Sequence, residues 1–300
     1  MNSAYHNPVL LHETVSGLDI KENGVYVDVT FGGGGHSKEI LKRLGSEGKL
    51  FAFDQDEDAL ANAIEDERFQ LINQNFQFLK QYLKFYGIRK VDGILADFGV
   101  SSHQFDEGER GFSIRFNAAL DMRMDRSGSL SAFDVVNTYS QEDLGSVLYQ
   151  YGELRNARAL AKTIVEARAE GQIKTTDDLK SVLSKHLPKM KENKILAQIY
   201  QAIRIEVNQE IAVLKAFLLQ TPELLDKGGR LSLISYHSLE DRLVKRFIRA
   251  GKFEGEPEKD FYGNIDVPFK KVGGLIVPSK EEIALNNRAR SAKLRIAERI

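Results

Sequence analysis

Apolar positions along this chain recur with two periods, and the change from one to the other marks out its parts. Residues 25–31, 49–54, 69–72 and 94–96 are short runs rich in β-branched, aromatic and other apolar residues, the pattern of strands. Between them, residues 37–44, 56–64 and 78–86 repeat their apolar residues at helical spacing. This regular alternation predicts an α/β fold with a doubly wound, mainly parallel sheet. After Ser102 the pattern stops. Residues 103–130 are polar, Gly-containing and rich in Arg and Asp, a long irregular segment of the kind that often carries function. Helical periods follow over 141–149, 153–170 and 177–186, the last with Thr175 or Thr176 as its cap, and no strand signal occurs between Phe133 and Ala197. Ile195, Ile199, Ile203, Val207, Ile211, Leu214 and Leu218 share one face, which predicts a single helix over 195–219, closed by Pro222 and the pair Gly228 and Gly229. A fifth strand in G-G-R-L-S-L-I-S, a basic helix over 239–249 and two short edge strands at 267–272 and 291–296 complete the chain. The expected organisation is a sheet domain of residues 1–104 and 210–300, interrupted by a helical insertion over 105–209.

Composition narrows the picture. No apolar run approaches the ~18 residues of a membrane span, and the start M-N-S-A-Y-H-N-P-V lacks the basic and apolar regions of a secretory signal, so the cytoplasm is the default location. There is no cysteine, which removes disulfides, thiolate metal sites and a cysteine nucleophile. No His and carboxylate spacing resembles a dedicated metal site, and no metal is expected. The net charge of −1 hides an asymmetry: residues 1–150 hold 14 Lys and Arg against 23 Asp and Glu, residues 151–300 hold 28 against 20. A polyanionic partner for the second half is one reading, and ordinary scatter on solvated helices is the other.

The chemistry centres on V-Y-V-D-V-T-F-G-G-G-G-H, a strand running into four glycines and then a helix. Glycine is required where a backbone takes positive φ or approaches a ligand closely, although glycine runs also form plain surface turns. The dinucleotide pattern G-x-G-x-x-G fails, because its last position falls on Ser37 or Lys38, and no G-x-x-x-x-G-K-[ST] loop is present. The loop therefore suits a ligand with little or no phosphate. Asp54 ends the second strand 22 residues after Gly32, where an acid accepts hydrogen bonds from ribose hydroxyls; the alternative is a helix N-cap, which Asp56 could supply instead. Phe76 follows the third strand, placed either to sandwich an adenine or to fill the core. Asp97 ends the fourth strand, so Asp28, Asp54 and Asp97 are expected to converge with the loop in one crevice beyond the carboxyl ends of the strands.

Taken together, these features resemble a class I, S-adenosylmethionine-dependent methyltransferase, a Rossmann-like doubly wound sheet, here with an inserted helical domain. One departure is that the common acidic-x-G-x-G-x-G loop has glycine where this chain has Thr30. The longer blocks D-V-T-F-G-G-G-G-H-S, D-F-G-V-S-S, E-R-G-F-S, L-D-M-R-M-D, Q-A-I-R-I-x-V-N, G-G-R-L-S-L-I-S-Y-H-S-L-E-D-R and R-A-R-S-A-K-L-R resemble the ribosomal RNA small subunit methyltransferase H family, from about Asn7 to the C-terminus. That resemblance implies methylation of the exocyclic N4 of a cytidine in the decoding region of 16S rRNA within the small subunit. It also implies cofactor contacts at Gly34, Gly35, His36, Asp54, Phe76, Asp97 and Gln104. The insertion departs from the family in K-E-N-K-I-L-A-Q-I-Y, ahead of Q-A-I-R-I.

Cytosine N4 is a weak nucleophile, so acceptors for its amino hydrogens are needed; Asp97 is the candidate, with Ser101 sharing the role. The [DNS]-P-P-[YF] motif of many amino methyltransferases is replaced here by D-F-G-V. Without cysteine the usual route to C5 methylation is closed, which leaves nitrogen or oxygen. Arg110, Arg123, His237, Arg242, Arg288 and Arg290 are candidate RNA contacts; Arg110 and Arg123 could equally tie their loop down, and His237 could be a packing residue. Two other classes stay open: a methyltransferase of small molecules or proteins, and a non-enzymatic RNA-binding or assembly factor. The oligomeric state is open, a homodimer included.

Overall fold

The computed structural model describes residues 8–255 and 266–300. The chain forms two units, Met1–Gly99 with Ile211–Ile300, and Val100–Glu210. The joints fall at 99/100 and 210/211, against the 104/105 and 209/210 read from the sequence.

The first unit runs α1 (Leu11–Gly17), β1 (Val25–Asp28), α2 (Gly35–Arg43), β2 (Lys49–Asp54), β3 (Phe69–Asn73), α3 (Leu79–Phe85) and β4 (Val91–Asp97). The helix expected over 56–64 is a shorter 3-10 turn, Glu57–Asn62. The second unit carries α4 (Ser102–Asp106), α5 (Ala132–Thr138), α6 (Gln141–Gln150), α7 (Ala157–Glu170), α8 (Thr176–Leu183) and α9 (Glu192–Val207). The chain returns through α10 (Glu210–Leu224), β5 (Leu225–Ser235), α11 (Ser238–Ala250), β6 (Phe269–Ile276), α12 (Lys280–Leu285) and β7 (Lys293–Arg299).

The seven strands form one sheet in the order β3-β2-β1-β4-β5-β7-β6. The first five are parallel, and β7 lies antiparallel between β5 and β6. Successive side chains on a strand face opposite sides. Tyr26, Leu50 and Leu95 therefore pack with Val15 of α1, Leu18 just after it, and Ile40 and Leu41 of α2. Val27, Phe53, Ile94 and Ala96 pack on the other side with Leu214, Phe217 and Leu218 of α10 and Val244 and Phe247 of α11. Both faces are covered, which is why these strands read as unbroken apolar runs.

Other helix expectations are corrected as well. The single helix over 195–219 is broken between α9 and α10 at Asn208 and Gln209, the latter at φ 50°. Asn208 Nδ2 donates to Met122 O at 2.8 Å and Oδ1 accepts from Met124 N at 2.7 Å, so the side chain serves a distant loop. Pro222 does not end α10, which continues to Leu224. Proline cannot donate to the carbonyl four residues earlier, Leu218 O, but the Thr221 hydroxyl donates there at 2.8 Å. In the second unit α7 starts at Ala157 instead of 153, because Glu153 takes φ 51°. Thr175 is the cap of α8, in a reciprocal box with Asp178. Leu144, Leu148, Leu160, Ile164, Ile199 and Ile203 fill the core of this unit without exposure. Among the described residues no helix is long and apolar enough to cross a membrane.

Candidate active site

The carboxyl ends of β1, β2 and β4, three adjacent parallel strands, each carry an aspartate. Asp28 is fully buried: Ser37 Oγ donates to its Oδ2 at 2.7 Å and Thr30 N to its Oδ1 at 3.1 Å. Burial pushes its carboxyl up to about 6, against the relief given by those donors. Beyond it the chain folds into the glycine loop, with Gly32 at φ 51° and Gly34 at φ 74°, values that a side chain would strain. A Cβ on Gly34 would stand 2.9 Å from the Phe31 ring, and one on Gly35 only 2.1 Å from Pro8 Cγ. Two of the four glycines are thus demanded by the chain's own packing as well as by any ligand. His36, in the first turn of α2, is buried and donates from Nε2 to Val9 O at 3.1 Å, which fastens the segment before α1 to the loop. Burial lowers its pKa, and Asp97 nearby opposes that.

Asp54 ties the first two strand ends together. Its Oδ2 accepts from Gly32 N at 2.7 Å and its Oδ1 from Asp56 N at 2.9 Å, while Asn62 Nδ2 donates to Gly32 O at 3.1 Å. Desolvation again outweighs these donors and lifts the carboxyl to about 6. The capping role weighed for Asp54 belongs to Asp56, which accepts from Asp58 N at the start of the 3-10 turn. Phe76 follows β3 on a loop joined to the β2 end by Asn75 Nδ2 donating to Gln55 Oε1 at 2.6 Å. Its ring lies edge-on to Phe217 at 5.4 Å and tilted against Phe98 at 6.2 Å.

Asp97 closes the set. Its backbone N–H donates to Thr30 Oγ1 at 2.6 Å and its Oδ1 accepts the Tyr236 hydroxyl at 2.7 Å. Desolvation raises this carboxyl to about 6 as well; His36 and Tyr236 pull it down, Asp28 and Glu240 push it up. The field of Asp28 also reaches Asp54. Among the described residues no lysine or arginine pairs with any of the three. Tyr236 was not singled out from the sequence; its position directly after a strand end, in Y-H-S-L-E-D-R, was the available signal.

The donor set fits a ligand that brings positive charge and hydroxyl donors. A cluster of desolvated carboxylates with raised pKa and no cationic partner is stabilised by a cation placed among them. S-adenosylmethionine carries a sulfonium, an ammonium and two ribose hydroxyls.

The second unit holds other predicted residues. Ser101 caps α4: its Oγ accepts from Gln104 N at 3.2 Å, and Gln104 Oε1 accepts from Ser101 N at 3.0 Å. Arg110 is only 5% exposed, which corrects the RNA-facing reading in favour of its alternative. It donates to Arg123 O at 2.8 Å and Met124 O at 3.1 Å and lies 5.6 Å over the Phe112 ring. Arg123 is likewise a loop tie, forked onto Asp121 and donating to Arg126 O and Gly128 O. Back in the first unit, His237 N-caps α11 in a reciprocal box with Glu240, its side chain 8% exposed, so the RNA contact expected of it gives way to a capping role. Arg242 and Arg290 are exposed and Arg288 is half-buried. Lys293 and Arg295 pair with Asp241.

A doubly wound sheet with this strand order, a glycine loop after β1 and acids at the ends of β2 and β4 define a class I methyltransferase, for which S-adenosylmethionine is the methyl donor. Comparison with known proteins makes this specific: residues 3–300 match the MraW methylase family, and the chain belongs to that family. It is 71% identical over 296 residues to ribosomal RNA small subunit methyltransferase H of Flavobacterium johnsoniae, covering 99% of this chain and 98% of that protein. It is 70% identical to the protein of the same name from Christiangramia forsetii, with the same coverage. Among solved structures, TrmN from Thermus thermophilus overlays with a TM-score of 0.44 at 12% identity, over 97% of this chain and 48% of that one.

Proposed function

We propose that this methyltransferase acts on ribosomal RNA of the small subunit and places its methyl group on the exocyclic N4 of a cytidine in the decoding region. The observation that carries the chemistry is Asp97: a carboxylate at the end of β4 whose Oδ1 is held by Tyr236 while Oδ2 has no hydrogen bond among the described residues. Support for the RNA substrate comes from the full-length relatives, whose name states it, and from the basic C-terminal half of the chain.

Bound S-adenosylmethionine supplies an activated methyl group on a positively charged sulfur. The residues of this chain then have separable tasks. Asp54 takes the ribose hydroxyls on the lone pairs left by Gly32 N and Asp56 N, and the turn at Gly34 and Gly35 lets the backbone approach. Asp28 and Asp97 supply negative charge for the cationic part, and Phe76 offers a ring face to the adenine. Asp97 Oδ2 accepts a hydrogen of the cytosine amine, which restores electron density to N4. When bound, S-adenosylmethionine would supply the methyl group that the N4 lone pair takes, and Asp97 would receive the proton leaving N4 and pass it on to water. Ser101, engaged in its cap, is left out of this scheme. The helical unit of residues 100–210 is assigned to substrate recognition, and Arg242, Arg288 and Arg290 of the first unit to phosphate contacts. The cell compartment is the cytoplasm, where ribosomal RNA resides in bacteria.

The test is incubation with isotopically labelled S-adenosylmethionine and either unmodified small subunits or naked rRNA, followed by digestion and nucleoside mass spectrometry. Label on N4-methylcytidine at one decoding-region site is expected. Label on another atom, or on neither RNA while the cofactor still binds, would overturn the assignment and favour a small-molecule or protein acceptor.

A further inference from the structure

The carboxylate of Asp97 is gripped on one side only. Oδ1 accepts from Tyr236 and Oδ2 is open, while Thr30 Oγ1 fixes the backbone amide behind it. Tyr236 is in turn fixed from two directions. β5 pairs with β4 so that Ile234 lies opposite Asp97, and Phe98 N donates to Ile234 O at 3.0 Å, which sets the spacing of the two strand ends. The backbone N–H of Tyr236 donates to Glu240 Oε2 at 2.8 Å, and the same carboxylate belongs to the box that starts α11. The hydroxyl therefore arrives at Asp97 from a frame made of β5 and the first turn of α11.

We propose that Tyr236 is a positioning residue, whose hydroxyl occupies Oδ1, fixes the plane of the Asp97 carboxylate and leaves Oδ2 as the one oxygen that meets the donor hydrogens of the substrate. This rests on the role given to Asp97 above. A hydroxyl donated to a carboxylate also favours its ionised form. The groups that face Asp97 are His36 on α2 and Tyr236, which favour ionisation, and Asp28 on β1 and Glu240 on α11, which oppose it. Removing the hydroxyl leaves the two opposing acids in place with one favourable partner fewer. Tyr236 itself stays protonated, since burial and Asp97 raise its pKa well above the ordinary value.

The test is Tyr236→Phe, which keeps the ring, compared with Asp97→Asn. Protein labelled with 13C at aspartate carboxyls is titrated without ligand, the Asp97 signal being the one lost in Asp97→Asn. In Tyr236→Phe its midpoint should rise by about one pH unit. In single-turnover methyl transfer the variant should lose about threefold in rate at pH 6.5 and recover much of it at pH 8.5, with cofactor affinity at pH 8.5 within about twofold of the parent. A midpoint and a pH–rate profile both unchanged would overturn the role of Tyr236. If Asp97→Asn transfers methyl groups as fast as the parent, the reading of Asp97 fails instead, and the carboxyl titration still decides whether Tyr236 tunes this group. A Tyr236→Phe protein that loses cofactor affinity at every pH would show a structural role only and would also overturn the inference.

Discussion

Thr30 Oγ1 accepts the backbone N–H of Asp97 at 2.6 Å, so the residue that departs from the common glycine pattern of methyltransferase loops joins the turn after β1 to the end of β4. The same Thr30 donates its own N–H to Asp28, placing one residue between two of the three carboxylates. Thr30→Gly restores the common pattern and removes this hydroxyl. It should lower stability by about 1–2 kcal/mol and weaken cofactor binding, whereas Thr30→Ser should retain most of both. Thermal unfolding and calorimetric titration of the two variants check this. Equal behaviour of Gly and Ser at the position would show that the hydroxyl is incidental.

Asp28 illustrates a cost accepted at a binding site. Its carboxyl titrates at about 6 in the folded protein against an ordinary value of 3.8. Between those values the native state holds the proton more tightly than the unfolded chain, so stability falls as pH rises through that window and the deficit is complete above it. At 1.36 kcal/mol per unit the deficit is about 3 kcal/mol. Asp28→Asn cannot ionise. The variant should be at least as stable as the parent at pH 8, with a shallower loss between pH 4 and 7, and should bind the cofactor less well. Denaturant unfolding across pH measures the first part; an unaltered slope would mean that Asp28 is not the group responsible.

Asp54→Ala should weaken S-adenosylmethionine binding by about ten- to a hundredfold, the size expected when charge-assisted hydrogen bonds to two hydroxyls are lost. The same change releases Gly32 N and Asp56 N, so Asp54→Asn is the informative companion. Asparagine keeps an acceptor for one of them, and its affinity should fall between parent and alanine. Unchanged affinity in Asp54→Ala would remove the ribose role.

Gly35→Ala separates packing from ligand contact. The added Cβ would sit 2.1 Å from Pro8 Cγ, so the segment ahead of α1 must shift, at a cost of about 1–3 kcal/mol. A fall in melting temperature larger than that of Ala at the unobstructed Gly171 is expected. Equal falls at the two sites would show that the Pro8 contact gives way freely.

Legibility in the sequence follows the range of the interactions involved. The strands could be read because both faces of the sheet are covered, which leaves runs such as Phe51, Ala52 and Phe53 with no polar interruption. The glycine loop, Asp54 and Asp97 could be read because their positions follow from the ends of those strands. The break between α9 and α10 could not, since its cause is the pairing of Asn208 with Met122 and Met124, more than 80 residues away. Pro222 misled for a local reason, a hydroxyl one residue earlier that serves the freed carbonyl. Arg110 and His237 were ambiguous because a basic side chain has the same sequence signature whether it faces a phosphate or closes a loop. Tyr236 was hidden because its partner, Asp97, is 139 residues distant.

The three carboxylates together make a prediction about protons. Asp28, Asp54 and Asp97 each titrate at about 6, and the field of Asp28 couples them, so they lose protons as a set and not as independent groups. A cation bound among them favours the ionised forms. Its binding must therefore expel protons at pH values near or below 6, and its affinity must fall as the pH is lowered through that range. If one proton leaves per ligand, the loss is about tenfold per pH unit; coupling of two would steepen it. Calorimetry of S-adenosylmethionine binding at pH 6 in two buffers of different ionisation enthalpy should report net proton release, absent at pH 8. S-adenosylhomocysteine keeps the ammonium and ribose but has a neutral sulfur, so it should release fewer protons and show a shallower pH profile. Identical profiles for the two ligands would show that the sulfonium does not lie in the field of these aspartates. A flat profile for both would mean that the cluster is ionised without them, and the charge complementarity on which the site is built would then have to come from elsewhere.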